Sequence, residues 1–291
     1  MLTYFQAIVL GLIQGFTELF PVSSLGHSVI LPQLLGWTDV VAAQSASESY
    51  FLAFLVGLHV ATALALLFYY RTTWAGIGRG LIVSIRTRRI ETPEQHLGWL
   101  LVVATIPAGV IGLLLEHSLR VVFARPLAAA AFLFLNGLIL LFGEWVRRRS
   151  VRRAAAEGSR LAMGERVDTL DMGNAIVIGV AQTAALLPGI SRSGVTMVAG
   201  LASGLDHEGA ARFSFLLATP IILAAGLYKL PDLLGPNGDG VRPQILAGSI
   251  AAGLAAYVSV RFLTRYFATR TLIPFAVYCL VVGMLAVIRF A

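Results

Sequence analysis

Charge is what this chain has least of. Asp, Glu, Lys and Arg make up 13% of its 291 residues, against 57% hydrophobic, and the mean hydropathy is +0.82. A soluble domain is not built at that ratio, so the class is a multi-spanning integral membrane protein. Cysteine is nearly absent. The single Cys279 lies in an apolar stretch, which excludes an intramolecular disulfide and argues against a cysteine-based metal site. The N-terminal stretch Met1 to Gln6 has no basic n-region and no small-residue cleavage site, so it is read as mature chain. No linker is long enough for a separate soluble domain. The net charge of +7 does not point to nucleic acid, because the basic residues lie in short loops between apolar runs. That distribution is the positive-inside pattern of a membrane protein.

Apolar runs of spanning length occupy residues 51–70, 97–115, 127–146, 211–230, 244–266 and 272–290. Two further apolar stretches are broken in the middle. Residues 2–36 are interrupted by Gln14, Thr17 and Glu18 and broken at Pro21; residues 173–205 are interrupted between Leu187 and Thr196. Two short arms around a polar break predict a re-entrant helical hairpin rather than a full span. The predicted fold is an all-α integral membrane protein with six transmembrane helices and two such hairpins. The loop from Arg71 to Arg89 carries five arginines and that from Arg147 to Arg166 seven. Both are expected on the cytoplasmic side, together with the Arg261–Arg270 region. The loops at 37–49, 116–126 and 231–243 are expected outside.

The halves resemble each other. Gly11-Leu-Ile-Gln14 matches Gly179-Val-Ala-Gln182. Pro21 is followed three residues later by Ser24, as Pro188 is by Ser191, and Gly26 and Gly194 come next. The offset is 168 residues at the glycines and 167 at the prolines, so one gap aligns them. Repeat one covers 1–146 and repeat two 171–291, each a broken hairpin plus three spans. Three is odd, so the repeats take opposite orientations in the membrane. Inverted repeats bring two broken helices tip to tip near the bilayer midplane.

The second turn, Pro188-Gly-Ile-Ser-Arg-Ser-Gly-Val-Thr196, joins hydroxyls at Ser191, Ser193 and Thr196 to the Arg192 guanidinium, just before a new apolar helix. Free N–H groups at a helix start, hydroxyls and an arginine fork are what a phosphate oxygen needs. The first turn supplies acid–base groups. Gln14 and Glu18 are four apart and share a helical face. Ser24 and His27 are three apart, close enough to touch if a helical turn follows Pro21. Glu18 is a carboxylate in hydrocarbon, which calls for a partner or a metal. Ser24 is a candidate nucleophile and His27 its candidate base. Thr17 and Ser23 are served equally well by bonds to the backbone.

The pairing of Gln14-Gly-x-x-Glu18 and Pro21-Val-Ser-Ser-x-Gly-His27 with Pro188-Gly-x-Ser-Arg-Ser-Gly-x-Thr196 resembles the undecaprenyl-diphosphate phosphatase family of the bacitracin-resistance type. The similarity runs over nearly the whole chain and includes Phe213-Ser-Phe-Leu-Leu-Ala-x-Pro220 and Ile273-Pro-Phe-Ala-x-Tyr278. The resemblance implies removal of the terminal phosphate from a C55 polyprenyl diphosphate, which recycles the carrier for cell-wall synthesis. It implies a fold of inverted repeats, a site reached from the outer (periplasmic) face of the bacterial cytoplasmic membrane, and support by Mg²⁺ or Ca²⁺. The family's essential acidic residues fall on Gln14 and Glu18, its serine on Ser24, its histidine on His27, and its second motif on Ser191, Arg192 and Thr196. Gln14 departs from members with glutamate there, and Cys279 from members with arginine after the tyrosine. A neutral amide brings no charge to a cation, so a metal site would rest on Glu18 and the substrate's phosphates.

The expected chemistry is phosphoryl transfer inside the membrane. Arg192, Ser191, Ser193, Thr196 and Gln14 hold the diphosphate. His27 takes a proton from Ser24 or from a water, and Glu18 orients His27 or binds the cation. Ser24 either becomes phosphorylated or positions the attacking water. The expected partners are the polyprenyl diphosphate, membrane lipid and a second copy in a homodimer, and not nucleic acid. Two rival classes share features. A secondary transporter or lipid flippase also uses inverted repeats with broken helices. The acid-phosphatase-like lipid phosphatases share the Pro-x-Ser-x-Gly-His pattern, but they need a second histidine after Ser-Arg, and Ser193 to Gly204 contains none.

Overall fold

A computed structural model describes residues 2–45, 50–123, 125–156, 170–229 and 239–291, with Val167, Pro231 and Gly235. Residues 232–234 and 236–238 of the predicted 231–243 loop, half of the 147–166 segment and the end of the 37–49 loop lie outside the described residues. Those that are described form helices and no strand. In chain order they are α1 (Tyr4–Leu19), α2 (Ser24–Leu34), α3 (Thr38–Ser45), α4 (Tyr50–Tyr69), α5 (Arg71–Thr87), α6 (Pro93–Phe123) and α7 (Pro126–Ala156). After them come α8 (Met172–Gln182), α9 (Arg192–Ala202), α10 (His207–Tyr228), α11 (Arg242–Phe267) and α12 (Ile273–Phe290). Six of these are long and apolar enough to cross a membrane: α4, α6 over Pro93–Leu115, α7 over Pro126–Arg153, α10, α11 and α12. They coincide with the six predicted spans. Their outward faces expose large apolar side chains such as Leu114 and Ile288, which lipid covers at no cost.

Three predicted loops contain helix. Arg71–Thr87 is α5, with Ile77, Gly80 and Ser84 buried and the arginines outside. The apolar side chains of Ile77 and Leu81 pack on Gly98 of α6, which has no side chain to keep them off. α7 does not stop at residue 146 but carries Arg147–Arg153 as further turns, with the Arg149 guanidinium 5.3 Å from the Trp145 ring. Arginine and alanine are good helix formers, so a span can outrun the membrane without unwinding. Residues 38–45 form α3. A charge run marks where a helix leaves hydrocarbon, not where it ends.

The short helices lie between the long ones. α1 opens with a capping box, Thr3 accepting from Gln6 N–H while the Gln6 side chain accepts from Thr3 N–H. It runs unbroken through Gln14 and Glu18 and turns at Phe20–Ser23. Its glycines set its neighbour: a Cβ at Gly11 would meet the Gly248 carbonyl oxygen at 2.2 Å, and one at Gly15 the Ala252 carbonyl oxygen at 2.2 Å. α1 thus packs backbone to backbone on α11. α8 does the same on α6, where a Cβ at Gly179 would lie 2.4 Å from the Ala104 carbonyl oxygen. α4 packs on α10, and α7 on α12. α1 and α8 are therefore each held by a spanning helix of the other half of the chain.

Candidate active site

Two chain breaks face each other at the centre of the bundle. After α1 the chain turns through Phe20–Ser23; after α8 and a 3₁₀ turn at Thr183–Leu186 it turns through Leu187–Ser191. A serine caps the next helix in each case. The Ser23 side chain accepts from Gly26 N–H at 3.2 Å, and the Ser191 side chain accepts from Gly194 N–H at 3.1 Å. The cap shows which serines correspond. Ser23, not Ser24, is the counterpart of Ser191, and the offset is then 168 residues from Gly11 through Gly26 with no gap. Ser24, which the prolines align with Ser191, is the first residue of its helix rather than the cap. Ser24 stands where the second half has Arg192.

The turns are locked to each other. Gly189 N–H donates to Ser23 Oγ at 3.2 Å, and Ser193 Oγ donates to the Phe20 carbonyl at 3.2 Å. Asn136, buried in the middle of α7, bridges both. Its amide nitrogen donates to the Pro21 carbonyl and its oxygen accepts from Ser191 N–H, each at 2.9 Å. Gly189 has φ of 108°, and a Cβ there would meet the Ala129 carbonyl oxygen at 2.3 Å, so no other residue fits. Ser23 adopts φ of 67° without being glycine. Such a conformation costs free energy and persists because the surrounding hydrogen bonds over-determine it.

Glu18, 7% exposed at the end of α1, is the hub. Its Oε2 accepts from Ser24 Oγ at 2.5 Å and from Gln14 Nε2 at 3.0 Å, and lies 3.5 Å from His59 Nε2 on α4. Its Oε1 faces Arg192 Nη2 at 3.2 Å and Nε at 3.4 Å. The remaining arm of the arginine, Nη1, donates to the Ser214 carbonyl on α10 at 3.3 Å. One carboxylate thus joins a hydroxyl from the first half of the chain to a guanidinium from the second. A charge pair this deep must be geometrically well matched, since removing one partner leaves the other buried and uncompensated.

His27 stands apart from Ser24. Its Nδ1 is 2.6 Å from the Ser23 carbonyl, which can only accept, so Nδ1 carries the proton. Its Nε2 is 2.8 Å from the Tyr278 hydroxyl on α12. Both ring nitrogens are engaged, and no hydrogen bond joins Ser24 to His27. The serine that spacing pairs with His27 is bonded to Glu18 instead. A spacing of three residues allows contact but does not aim side chains, and Ser24 at the first position of α2 points back towards α1.

The hydroxyls of the second turn are internal. Ser191 Oγ is 3.0 Å from Ser193 Oγ; Thr196 Oγ1 donates to the Arg192 carbonyl at 2.8 Å and is 2.7 Å from Ser214 Oγ. All three residues are 1% exposed or less. They build the platform that presents Arg192. The backbone N–H groups of Arg192 and Ser193, at the start of α9, make no hydrogen bond among the described residues, which leaves two donors for an anion. Four polar groups at this centre are not among the site residues that the motifs mark: His59, Asn136, Ser214 and the Tyr278 hydroxyl. His59 and Asn136 carry a readable signal, a polar side chain in the middle of an apolar span.

A hard divalent cation takes oxygen ligands. Among the described residues no group of three or more His, Cys, Asp or Glu side chains could hold a metal. The Gln14 side-chain oxygen, however, is buried beside Glu18 with no hydrogen-bond partner. Glu18 and Gln14 Oε1 are the side-chain oxygens here that could serve such a cation.

A family model described as bacitracin resistance protein BacA matches residues 7–285. A protein of Frankia alni called undecaprenyl-diphosphatase 2 is 54% identical over 100% of this chain and 98% of its own length. An undecaprenyl-diphosphatase of Mycolicibacterium paratuberculosis is 54% identical over 97% of this chain and 95% of its own. An undecaprenyl-diphosphatase 2 of Chromobacterium violaceum is 44% identical, over 97% of each chain.

Proposed function

The chain belongs to the bacitracin-resistance BacA family, and we infer that it is a membrane phosphatase of that family. It hydrolyses undecaprenyl diphosphate to undecaprenyl phosphate and inorganic phosphate, recycling the lipid carrier for cell-wall synthesis. The observation that carries the chemistry is the meeting of Ser24, Glu18 and Arg192 on one buried carboxylate inside a bundle of six apolar helices. Phosphate release from C55 diphosphate by purified protein in detergent tests it. A transporter or flippase, with no gradient to work on, would release none.

The division of roles follows from what each group touches. Arg192 and the two free N–H groups of α9 bind the terminal phosphate and offset the charge that develops as the bond breaks. Ser191, Ser193 and Thr196 support that surface rather than reach into it. Ser24 is the nucleophile or the group that orients the attacking water, and Glu18 takes its proton, because the hydrogen bond already points that way. Arg192, freed from Glu18 as it turns to phosphate, leaves that carboxylate more basic. His27, with Nδ1–H fixed on Ser23 and Nε2 on Tyr278, is the second proton-carrying group. A divalent cation, Mg²⁺ or Ca²⁺, would be held by Glu18 and Gln14 and would draw charge from the phosphates. Loss of turnover in EDTA, restored by one of the two ions, tests that part separately.

The two halves form an inverted repeat, with α1–α2 and α8–α9 as re-entrant hairpins, over 1–146 and 171–291. What supports this is the exchange of packing: α1 on α11 and α8 on α6, α4 on α10, α7 on α12, and equivalent glycines, Gly11 and Gly179, at the closest approaches. We place the chain in the cytoplasmic (inner) membrane with the site opening to the outer, periplasmic face. A cysteine at Asn237, in a Cys279→Ser background, is then expected to label from outside intact cells and one at Ala155 not; the reverse pattern would move the opening to the cytoplasm. The same reading includes a homodimer, and light scattering that gives only the monomer mass in detergent and nanodiscs would remove it.

A further inference from the structure

A second polar site lies at the C-terminal end of α11. A cleft of about 580 Å³ opens between Tyr257 and Arg270. Its walls are aromatic, from Tyr257, Phe262 and Tyr266, and it carries three guanidinium groups, from Arg261, Arg265 and Arg270. All three arginines are exposed, and none forms an ion pair among the described residues. The position is as informative as the composition. α11 crosses the membrane over Arg242–Phe267, and α12 starts its own crossing at Ile273, so the cleft sits where both helices leave hydrocarbon. Arg261 and Arg265 are one helical turn apart and share a face. Above them, exposed Val258 and Leu254 continue the same helix into the apolar zone.

We propose that this cleft binds the phosphate-diester headgroup of an anionic phospholipid. A phosphate at the boundary meets three guanidiniums that form no ion pair among the described residues, and arginine matches phosphate oxygens in pairs. The aromatic side chains suit the interface between headgroup and acyl chain, and the lipid tails lie along the apolar surface of α11. A volume of this size falls in the range of about 300–1,000 Å³ usual for small-molecule sites. Basic pockets between membrane helices recognise anionic headgroups by this chemistry. The cleft also touches the catalytic turn: Phe262 stacks on Phe20, with centroids 5.9 Å apart and planes 7° apart. Phe20 is the residue whose carbonyl accepts from Ser193.

The test is lipid retention by the full-length protein, taken from nanodiscs of mixed phosphatidylglycerol and phosphatidylcholine and read by native mass spectrometry. Wild type should retain phosphatidylglycerol preferentially. The triple variant Arg261→Gln, Arg265→Gln, Arg270→Gln should lose that retention about a hundredfold, and each single variant roughly fivefold. The single variants decide the matter if the triple does not fold. The Arg→Lys triple keeps the charge and should lose only part of the preference. Hydrolysis in detergent should be unchanged in all of them. Equal retention of phosphatidylcholine, or full retention of phosphatidylglycerol by folded glutamine variants, would overturn the proposal. So would displacement of the lipid by inorganic phosphate but not by chloride at the same ionic strength, which would make the cleft a free-phosphate site.

Discussion

The two chain breaks share a frame and differ in chemistry. Both have a glycine packed on a foreign helix, at Gly11 and Gly179, and a glutamine three residues on, at Gln14 and Gln182. Both end in a serine cap whose oxygen holds the N–H three residues later. At a constant offset of 168 residues the differences stand out. Glu18 corresponds to Leu186, and Ser24 to Arg192. Gln14 donates to Glu18, whereas both polar atoms of buried Gln182 have no hydrogen-bond partner among the described residues. One copy of the frame holds the acid and the hydroxyl, and the other holds the cation. Two turns of like geometry make up the proposed reacting site because their different side chains meet at the same place. Two such turns let opposite charges be brought together without either half having to bury both.

The largest effect should come from the side of the comparison that carries the proposed reacting atoms. Ser24→Ala and Glu18→Gln are each expected to lower turnover by about three orders of magnitude or more. Groups that act as a unit are not additive, so the double variant should be hardly worse than either single. Turnover of the three proteins on C55 diphosphate checks this. A Ser24→Ala protein with substantial activity would make a water held by Glu18 the nucleophile.

The next effect belongs to the other side. Arg192→Lys keeps the net charge but cannot form the paired contact, and should lose most activity, about a hundredfold. Arg192→Ala should in addition weaken binding of a non-hydrolysable diphosphate analogue, while Ser24→Ala should leave binding nearly intact. Equal losses of binding in both variants would erase the proposed division between the halves.

A smaller effect is expected at the joint with α12. Tyr278→Phe removes one hydrogen bond to His27 and should reduce turnover about tenfold, with little change in analogue binding, whereas His27→Ala should lose more. The nitrogen-15 spectrum of the histidine ring should show Nδ1–H dominant in the wild type and a mixture in Tyr278→Phe. A tyrosine serving only to fill space would leave that spectrum unchanged.

The smallest effect contrasts the two glutamines directly. Gln182→Leu removes a buried amide without partners and should leave activity intact and stability equal or higher. Gln14→Leu, at the equivalent place, should impair turnover, because it removes a contact to Glu18 and the free oxygen beside it. Parallel thermal melts and rates would separate them. Equal damage from both would mean that Gln182 has a role of its own.

Much of this molecule is legible in its amino-acid order. Six spans, two broken stretches and the prominence of Glu18 and Arg192 inside apolar runs all follow from a scarcity of charge. In a chain this apolar, each polar residue inside a run costs free energy and so marks a purpose. That is why Gln14, Glu18 and Arg192 stand out, and the same rule flags His59 and Asn136. Pairings are less legible. The three-residue spacing suggests Ser24 with His27, and the prolines suggest Ser24 with Ser191. The cap geometry shows Ser23 as the equivalent serine, and Glu18 as the partner of Ser24. Arginine runs are also poor guides to helix ends, as α5 and the last turns of α7 show.

By itself the amino-acid order determined what is local or counted: the membrane class, the length and position of the spans, and which residue types sit at the two breaks. Those depend on hydropathy and on residues near in sequence. Only the tertiary structure decided which groups meet. Glu18 and Arg192 are 174 positions apart yet within 3.2 Å, and His27 reaches Tyr278 across 251 positions. Such contacts are set by how close two backbones can come, at Gly11 against Gly248 or Gly189 against Ala129. They are set also by which rotamer the buried neighbours allow. Neither quantity has a period or a spacing that can be read along the chain.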